Sequence, residues 1–94
     1  MTDANQSTNG TAPVRLFTTD PCSFCRQAKA LLDSRGVDYQ EINLARDPEG
    51  RADLVALTGQ MTFPQVVVGE RAIGGFRELI EADRDGSLED LLAA

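Results

Sequence analysis

The chain has 94 residues, of which 41% are hydrophobic, and its 15 acidic and 9 basic side chains leave a formal net charge of −6. This length predicts one small domain. The acidic balance argues against nucleic acid and anionic membrane surfaces as partners, because both are bound through clustered Lys and Arg. No apolar run is long enough to span a bilayer.

The first twelve residues differ in composition from the rest of the chain. They are rich in Asn, Ser and Thr and have no basic segment of the kind that opens a secretory signal. We expect a disordered leader over residues 1–12 and one folded domain over residues 13–94. Without a signal peptide the expected compartment is cytoplasmic, where paired cysteines are more often catalytic than structural.

The first half of the folded part alternates strands and helices. The pattern predicts a strand over Val14–Thr18, a helix over Ser23–Arg35 and a second strand within Val37–Leu44. Gly36 is placed to end the helix as a left-handed cap. A second helix begins with Asp47 as its cap and Pro48 as its first residue. Gly59 closes this helix, whose predicted buried side consists of Leu54, Val55 and Leu57.

The second half predicts a hairpin followed by helix. The β-branched run Val66–Val68 and the returning strand Arg71–Ile73 are joined by a tight turn at Gly69. A third helix is predicted over Phe76–Asp85, and Gly86 stops it before a last turn. The order βαβα followed by ββα predicts an α/β fold in which a parallel pair and a hairpin share one sheet.

Cys22 and Cys25 are the only two cysteines, and they lie where the first strand passes into the first helix. A thiolate is the nucleophile in sulfur exchange, and the unpaired N–H groups of a helix N-terminus favour it. The Cys-x-x-Cys pair therefore indicates a thiol–disulfide redox site. A structural zinc site wants four Cys or His ligands, and the chain has no His. A structural disulfide closing so short a loop would stabilise the fold little.

Charged residues surround this pair. Asp20 would oppose a thiolate, although as a helix cap it would fix the local geometry. Arg26 and Lys29 would favour the thiolate, and they are equally consistent with a solvated helix face.

Four segments together resemble the dithiol glutaredoxins, particularly the short bacterial ones. They occur in the order and spacing of that family and cover the chain from about Val14 to Leu92. They are Cys22-Ser-Phe-Cys25 with Ala28-Lys29, Tyr39-Gln-Glu41-Ile-Asn43, Thr62-Phe-Pro-Gln-Val66 and Ile73-Gly-Gly-Phe76.

The resemblance implies a thioredoxin-like fold, a four-stranded mixed sheet flanked by helices, with a cis peptide before Pro64. It implies that Cys22 is the nucleophile, that Cys25 is the resolving thiol, and that glutathione is the co-substrate. It also implies a glutathione- and substrate-binding groove, formed by Phe24, Gln60, Thr62, Phe63, Pro64, Gly75, Phe76 and Arg77. The implied function is glutathione-linked reduction of protein disulfides and glutathione mixed disulfides by a monomer that needs no metal.

The departures from the family pattern keep two alternatives open. Thr19 and Arg77 replace a Lys and an Asp that glutaredoxins commonly carry, and both changes weaken the expected contact with glutathione. Gly75-Phe76-Arg77 is similar to a segment of redoxins that serve ribonucleotide reductase and are recharged by thioredoxin reductase. Ser23, where most dithiol members have Pro, also occurs in relatives that bridge a [2Fe–2S] cluster through one cysteine per chain, here Cys22, and bound glutathione.

Overall fold

The computed structural model describes residues 12–93, so the predicted leader lies outside the described residues except for Ala12. Four strands and three helices follow one another in the predicted order, and the predicted last turn forms a fourth helix of six residues. They are β1 (Val14–Thr18), α1 (Ser23–Ser34), β2 (Gln40–Asn43), α2 (Pro48–Thr58), β3 (Gln65–Val68), β4 (Arg71–Gly74), α3 (Phe76–Asp85) and α4 (Ser87–Leu92).

The four strands form one mixed sheet in the order β2-β1-β3-β4. β1 and β2 run parallel, with Phe17 beside Ile42. This pairing confirms the crossover through α1, because parallel neighbours need a long connection. β3 lies antiparallel to both β1 and β4, with Phe17 also beside Gln65 and with Val66 beside Gly74. The predicted hairpin is therefore part of the same sheet.

The two faces of the sheet carry different helices, as the resemblance implied. Alternation along β3 sends Val66 and Val68 to the larger cluster, which includes Leu32 of α1, Leu79 of α3 and Leu88 of α4. The opposite face carries a smaller cluster of Phe17, Leu44, Leu54 and Val67, with Leu54 contributed by α2. The sheet is thus a central layer between α1, α3 and α4 on one side and α2 on the other.

The predicted buried side of α2 is only partly correct. Leu54 is buried, but Val55 and Leu57 are 37% and 39% exposed. The sheet covers α2 along a narrow strip, and neighbouring helical positions point about 100° apart. The predicted ends of this helix are confirmed, since Asp47 Oδ1 accepts from the Gly50 N–H (2.8 Å) and Gly59 is left-handed.

The C-terminal parts of α1 and α3 are joined by an ion pair. Arg35, the residue after α1, donates from Nε and Nη2 to both carboxylate oxygens of Asp83, at 2.7 and 2.8 Å. This bidentate hydrogen bond, together with the charge of Arg35, lowers the pKa of Asp83 below its ordinary value. Over residues 12–93, no helix has the length and apolar character needed to cross a membrane.

Candidate active site

The two cysteines lie at the start of α1. Cys22 is the N-cap residue, and the Cys25 N–H donates to its Sγ (3.1 Å). The two sulfurs are bonded as a disulfide, with the Cα atoms 5.2 Å apart. Cys22 is half-buried, whereas Cys25 is only 2% exposed. An external sulfur therefore reaches Cys22 more easily than Cys25. When the disulfide is open, the same N–H donor stabilises charge on Cys22.

Asp20 and Lys29, two of the three charged neighbours of the cysteines, form contacts with β2, whereas Arg26 is exposed. The expectation that Asp20 caps α1 is wrong, because Cys22 occupies the cap position and the Asp20 carboxylate accepts from Asn43 Nδ2 (2.9 Å). Lys29 Nζ forms an ion pair with Glu41 of β2 (3.2 Å). Glu41 also accepts from the buried Thr18 hydroxyl (2.8 Å). These contacts direct Asp20 and Lys29 toward β2.

A loop before β3 forms a second wall of the site. Its Phe63–Pro64 peptide is cis, as the resemblance implied. The buried Gln65 side chain forms two hydrogen bonds with the loop. Its Nε2 donates to Thr62 Oγ1 (3.0 Å) and to Gln60 Oε1 (3.3 Å). Gln60 is thus bound to the loop through its side-chain amide.

The start of α3 forms the third wall. Gly74 has φ of +123°, which L side chains rarely adopt, and a Cβ there would lie 2.8 Å from Glu78 Cγ. Gly75 caps the helix, and its N–H donates to Glu78 Oε1 (2.8 Å). Glu78 thus turns back over the first residues of its own helix and adds a carboxylate to the site.

Two phenylalanines connect the first wall to the third. The rings of Phe24, which lies between the cysteines, and Phe76, the first residue of α3, stack with centroids 5.6 Å apart and planes 28° apart. Phe24 remains 55% exposed although it is a large apolar side chain. The stack therefore presents an aromatic surface to solvent next to the disulfide.

A pocket of about 460 Å³ opens beside this stack. It brings together seven of the eight predicted groove residues, and it leaves out Gln60 and the two cysteines themselves. Its lining is Phe24, Thr62, Phe63, Pro64, Gly75, Phe76, Arg77, Glu78, Ile80, Glu81 and Arg84.

The last four lining residues were not predicted from the sequence. They extend the pocket along α3, beyond the segment that carried the resemblance. Helical spacing could have predicted two of them, because Glu81 and Arg84 lie four and seven residues after Arg77 and share its side of the helix. Among the described residues, no group of three or more His, Cys, Asp or Glu side chains is placed to hold a metal ion.

The sheet order, the flanking helices and the Cys-x-x-Cys pair at the start of α1 define a redox protein of thioredoxin-like fold. The family model described as glutaredoxin matches residues 14–73. The chain belongs to the glutaredoxin family, and it is a thiol–disulfide oxidoreductase.

Two curated relatives support this assignment. The glutaredoxin of Pseudomonas aeruginosa is 44% identical over 82 residues, which cover 87% of this chain and 98% of that protein. Glutaredoxin 3 of Escherichia coli K12 is 36% identical over 81 residues, which cover 86% of this chain and 98% of the relative.

Solved structures agree in fold. The solution structure of a glutaredoxin from Brucella melitensis superposes with a TM-score of 0.80 at 33% identity, covering 93% of this chain and 95% of that one. A crystal structure of a buckwheat glutaredoxin–glutathione complex superposes with a TM-score of 0.77 at 37% identity. The superposition covers 86% of this chain and 76% of the buckwheat chain.

Proposed function

We propose that this oxidoreductase is linked to glutathione and reduces protein disulfides and glutathione mixed disulfides. The observation that carries the proposal is the accessible Cys22, at the start of α1, next to a pocket of about 460 Å³. Glutaredoxins use glutathione as a co-substrate, and one structural relative is a glutathione complex.

The proposed reaction moves two electrons through the cysteine pair. The Cys22 thiolate attacks one sulfur of the substrate disulfide, a new S–S bond forms, and the other sulfur leaves as a thiolate that takes up a proton. The Cys25 thiolate then attacks Cys22 and releases the second substrate thiol. Two molecules of glutathione reduce the resulting Cys22–Cys25 disulfide and become glutathione disulfide.

The pocket supports a ligand with both carboxylate and ammonium groups. The first N–H groups of α3 face a carboxylate favourably, because a helix N-terminus carries partial positive charge. At the N-terminus of α3, Arg77 adds a full positive charge and Glu78 adds a full negative charge. We propose that Glu78 meets the ammonium group of glutathione and that Arg77 opposes it, so that glutathione binds but binds below its possible affinity.

The test is a comparison of electron donors. The oxidised protein is mixed with glutathione, NADPH and glutathione reductase, or with NADPH and thioredoxin reductase, and NADPH consumption is followed. We expect faster reduction by glutathione. Faster reduction by thioredoxin reductase would replace this proposal with the ribonucleotide-reductase type of redoxin.

Three further expectations stay predictions. A bridging [2Fe–2S] cluster would use only Cys22 from each chain, so the arrangement within one chain does not test it. Anaerobic reconstitution with iron, sulfide and glutathione, followed by absorption spectroscopy and sizing, separates a cluster-bridged dimer from the proposed monomer. The proposed cytoplasmic location rests on the reducing conditions that keep such a pair cycling.

A further inference from the structure

The pocket continues beyond the part assigned to glutathione. Arg77, Glu81 and Arg84 line it at spacings of four and three residues, which places them along one side of α3. With a rise of 1.5 Å per residue, Arg84 lies roughly 10 Å further along the helix than Arg77. The opposite side of α3 faces the core through Leu79 and Ala82. The pocket is therefore a groove that leads away from the disulfide.

The end of this groove nearest the disulfide is aromatic. The chain has four phenylalanines, and three of them, Phe24, Phe63 and Phe76, line the groove, while Phe17 is buried in the core. Ile80 follows Phe76 along the helix and is half-buried. Exposed aromatic surface next to a reactive site is typical of a contact surface, and stacked rings accept a third apolar or aromatic side chain.

The outer edge of the groove carries two arginines. Within residues 12–93, neither Arg77 nor Arg84 forms an ion pair, whereas Arg35, which follows α1, is paired with Asp83 of α3. Glu81 lies between the two arginines, so this edge has two positive charges and one negative charge. The other carboxylate of the groove, that of Glu78, is turned toward the Gly75 N–H. The edge thus favours an acidic group.

We propose that this groove binds the polypeptide around a substrate cysteine and selects its sequence. The occupant is an extended peptide with an aromatic residue beside the cysteine and an acidic residue near Arg84. Phe76 lies eight residues before Arg84, roughly 12 Å along α3. An extended chain rises about 3.3 Å per residue, so the acidic residue lies about three or four residues from the aromatic one. This inference rests on the proposed reduction of protein disulfides and names the substrate class.

The chemistry of this step is the exchange already described. The reduced protein and a peptide disulfide give the oxidised protein and two peptide thiols, so the Cys22–Cys25 pair supplies both electrons. The peptide bound through Cys22 occupies the groove until Cys25 releases it. Peptide and glutathione share Phe24, Phe76 and Arg77, so they bind one after the other.

The experiment mixes the pre-reduced protein, freed of reductant, with symmetric peptide disulfides and measures single-turnover rate constants after acid quenching. One peptide has phenylalanine next to its cysteine and glutamate three residues from the phenylalanine. A second version has the same residues in the reverse sequence order, because the direction in which the chain lies in the groove is not fixed by the proposal. Two others replace phenylalanine by serine or glutamate by lysine. Each rate constant is divided by that for reduction with dithiothreitol, which removes differences in intrinsic thiol reactivity.

We expect the serine peptide to react about fivefold more slowly, as the loss of an aromatic contact predicts. The lysine peptide is expected to react about threefold more slowly at low salt and with a smaller difference at high salt. Phe76→Ala removes the preference for phenylalanine, and Phe76→Tyr restores it. Arg84→Glu reverses the preference between glutamate and lysine, while Arg46→Glu, an equal charge change outside the groove, leaves it unaltered.

Equal normalised rate constants for all peptides would overturn this inference and leave the proposed function in place. Failure to reduce any peptide or glutathione mixed disulfide would overturn both. Circular dichroism is used to check the fold of Phe76→Ala. Arg84 is exposed, so its variant tests the groove without depending on core packing.

Discussion

Two helices begin at the same site, and they begin in different ways. α1 starts at Cys22, a side chain that both caps the helix and carries the reactive sulfur. α3 starts at Gly75, which has no side chain and receives its cap from Glu78 one turn later. The chemistry is thus concentrated in one residue at the first helix, whereas binding at the second is distributed over the backbone and several side chains.

The departures from the expected glutaredoxin pattern fall at both helix starts, at Thr19 and Ser23 near α1 and at Phe76 and Arg77 in α3. Both cysteines are retained, because sulfur exchange has no substitute for a thiolate at that point. The side chains of Phe76 and Arg77, at the start of α3, depart from that pattern, while the backbone N–H groups of the helix start stay in place whatever side chains surround them. We therefore expect substitutions in α3 to change substrate preference more than the sulfur exchange at α1.

The largest expected effect comes from removing the reactive side chain of α1. Cys22→Ser abolishes reduction of both substrate classes, because a hydroxyl does not replace the attacking thiolate. Cys25→Ser, its matched control, keeps the turnover of glutathione mixed disulfides, because a second glutathione thiolate replaces Cys25 in attacking the Cys22–glutathione disulfide. It loses the reduction of protein disulfides. Both are measured by coupled NADPH consumption. Equal activity of wild type and Cys22→Ser would contradict the assigned roles.

A smaller effect is expected where α3 begins. Gly74→Ala should lower the free energy of unfolding by about 2–3 kcal/mol, because alanine resists positive φ and its Cβ meets Glu78. Gly36 also has positive φ but has open space around it, so the control Gly36→Ala should lower the free energy of unfolding by only about 1 kcal/mol.

Urea titration separates these contributions to the unfolding free energy. In a Glu78→Ala background, Gly74→Ala should cost less than in the wild type, because the contacts with Cγ and Oε1 of Glu78 are gone and only the Cβ of residue 78, at 3.0 Å, remains close. A full loss in that background would mean that the backbone alone, rather than Glu78, makes Gly74 necessary.

Binding at α3 is expected to change by less. Arg77→Asp should lower the KM for glutathione about threefold, since it replaces a charge that repels the ammonium group by one that attracts it. The effect should shrink at high salt. Arg46→Asp, which makes the same charge change away from the pocket, should leave the KM unaltered; a parallel decrease would assign the effect to net charge.

The smallest effect concerns the opposite ends of these helices. The pKa of Asp83 is lowered in the folded state by its hydrogen bond with Arg35, so the resulting stabilisation is present above the ordinary Asp pKa and is lost as pH falls through the folded value. Asp83→Asn should lower Tm slightly at pH 7, and the difference in Tm should shrink as pH falls below the ordinary pKa of Asp. Thermal melts across this range test it, and a constant difference in Tm would exclude the ion pair as the cause.

Much of the fold could be predicted because its signals are local. The bounds of α3 agree with the prediction, and Gly36, Gly59 and Gly86 have the positive φ expected of residues that end helices. These features depend on the backbone freedom of one residue or on the spacing of apolar positions within a few turns. The reactive pair was equally evident, since two cysteines three residues apart needed no distant partner.

The tertiary structure alone decided which surfaces are covered and which side chains meet. Val55 and Leu57 are exposed because α2 contacts the sheet along a narrow strip. Asp20 binds Asn43 because β1 and β2 end side by side. The groove formed by Phe24 and Arg84 joins residues sixty positions apart, and packing of α1 and α3 on one face of the sheet brings them together. Such contacts depend on how complete elements pack, which short-range patterns do not encode.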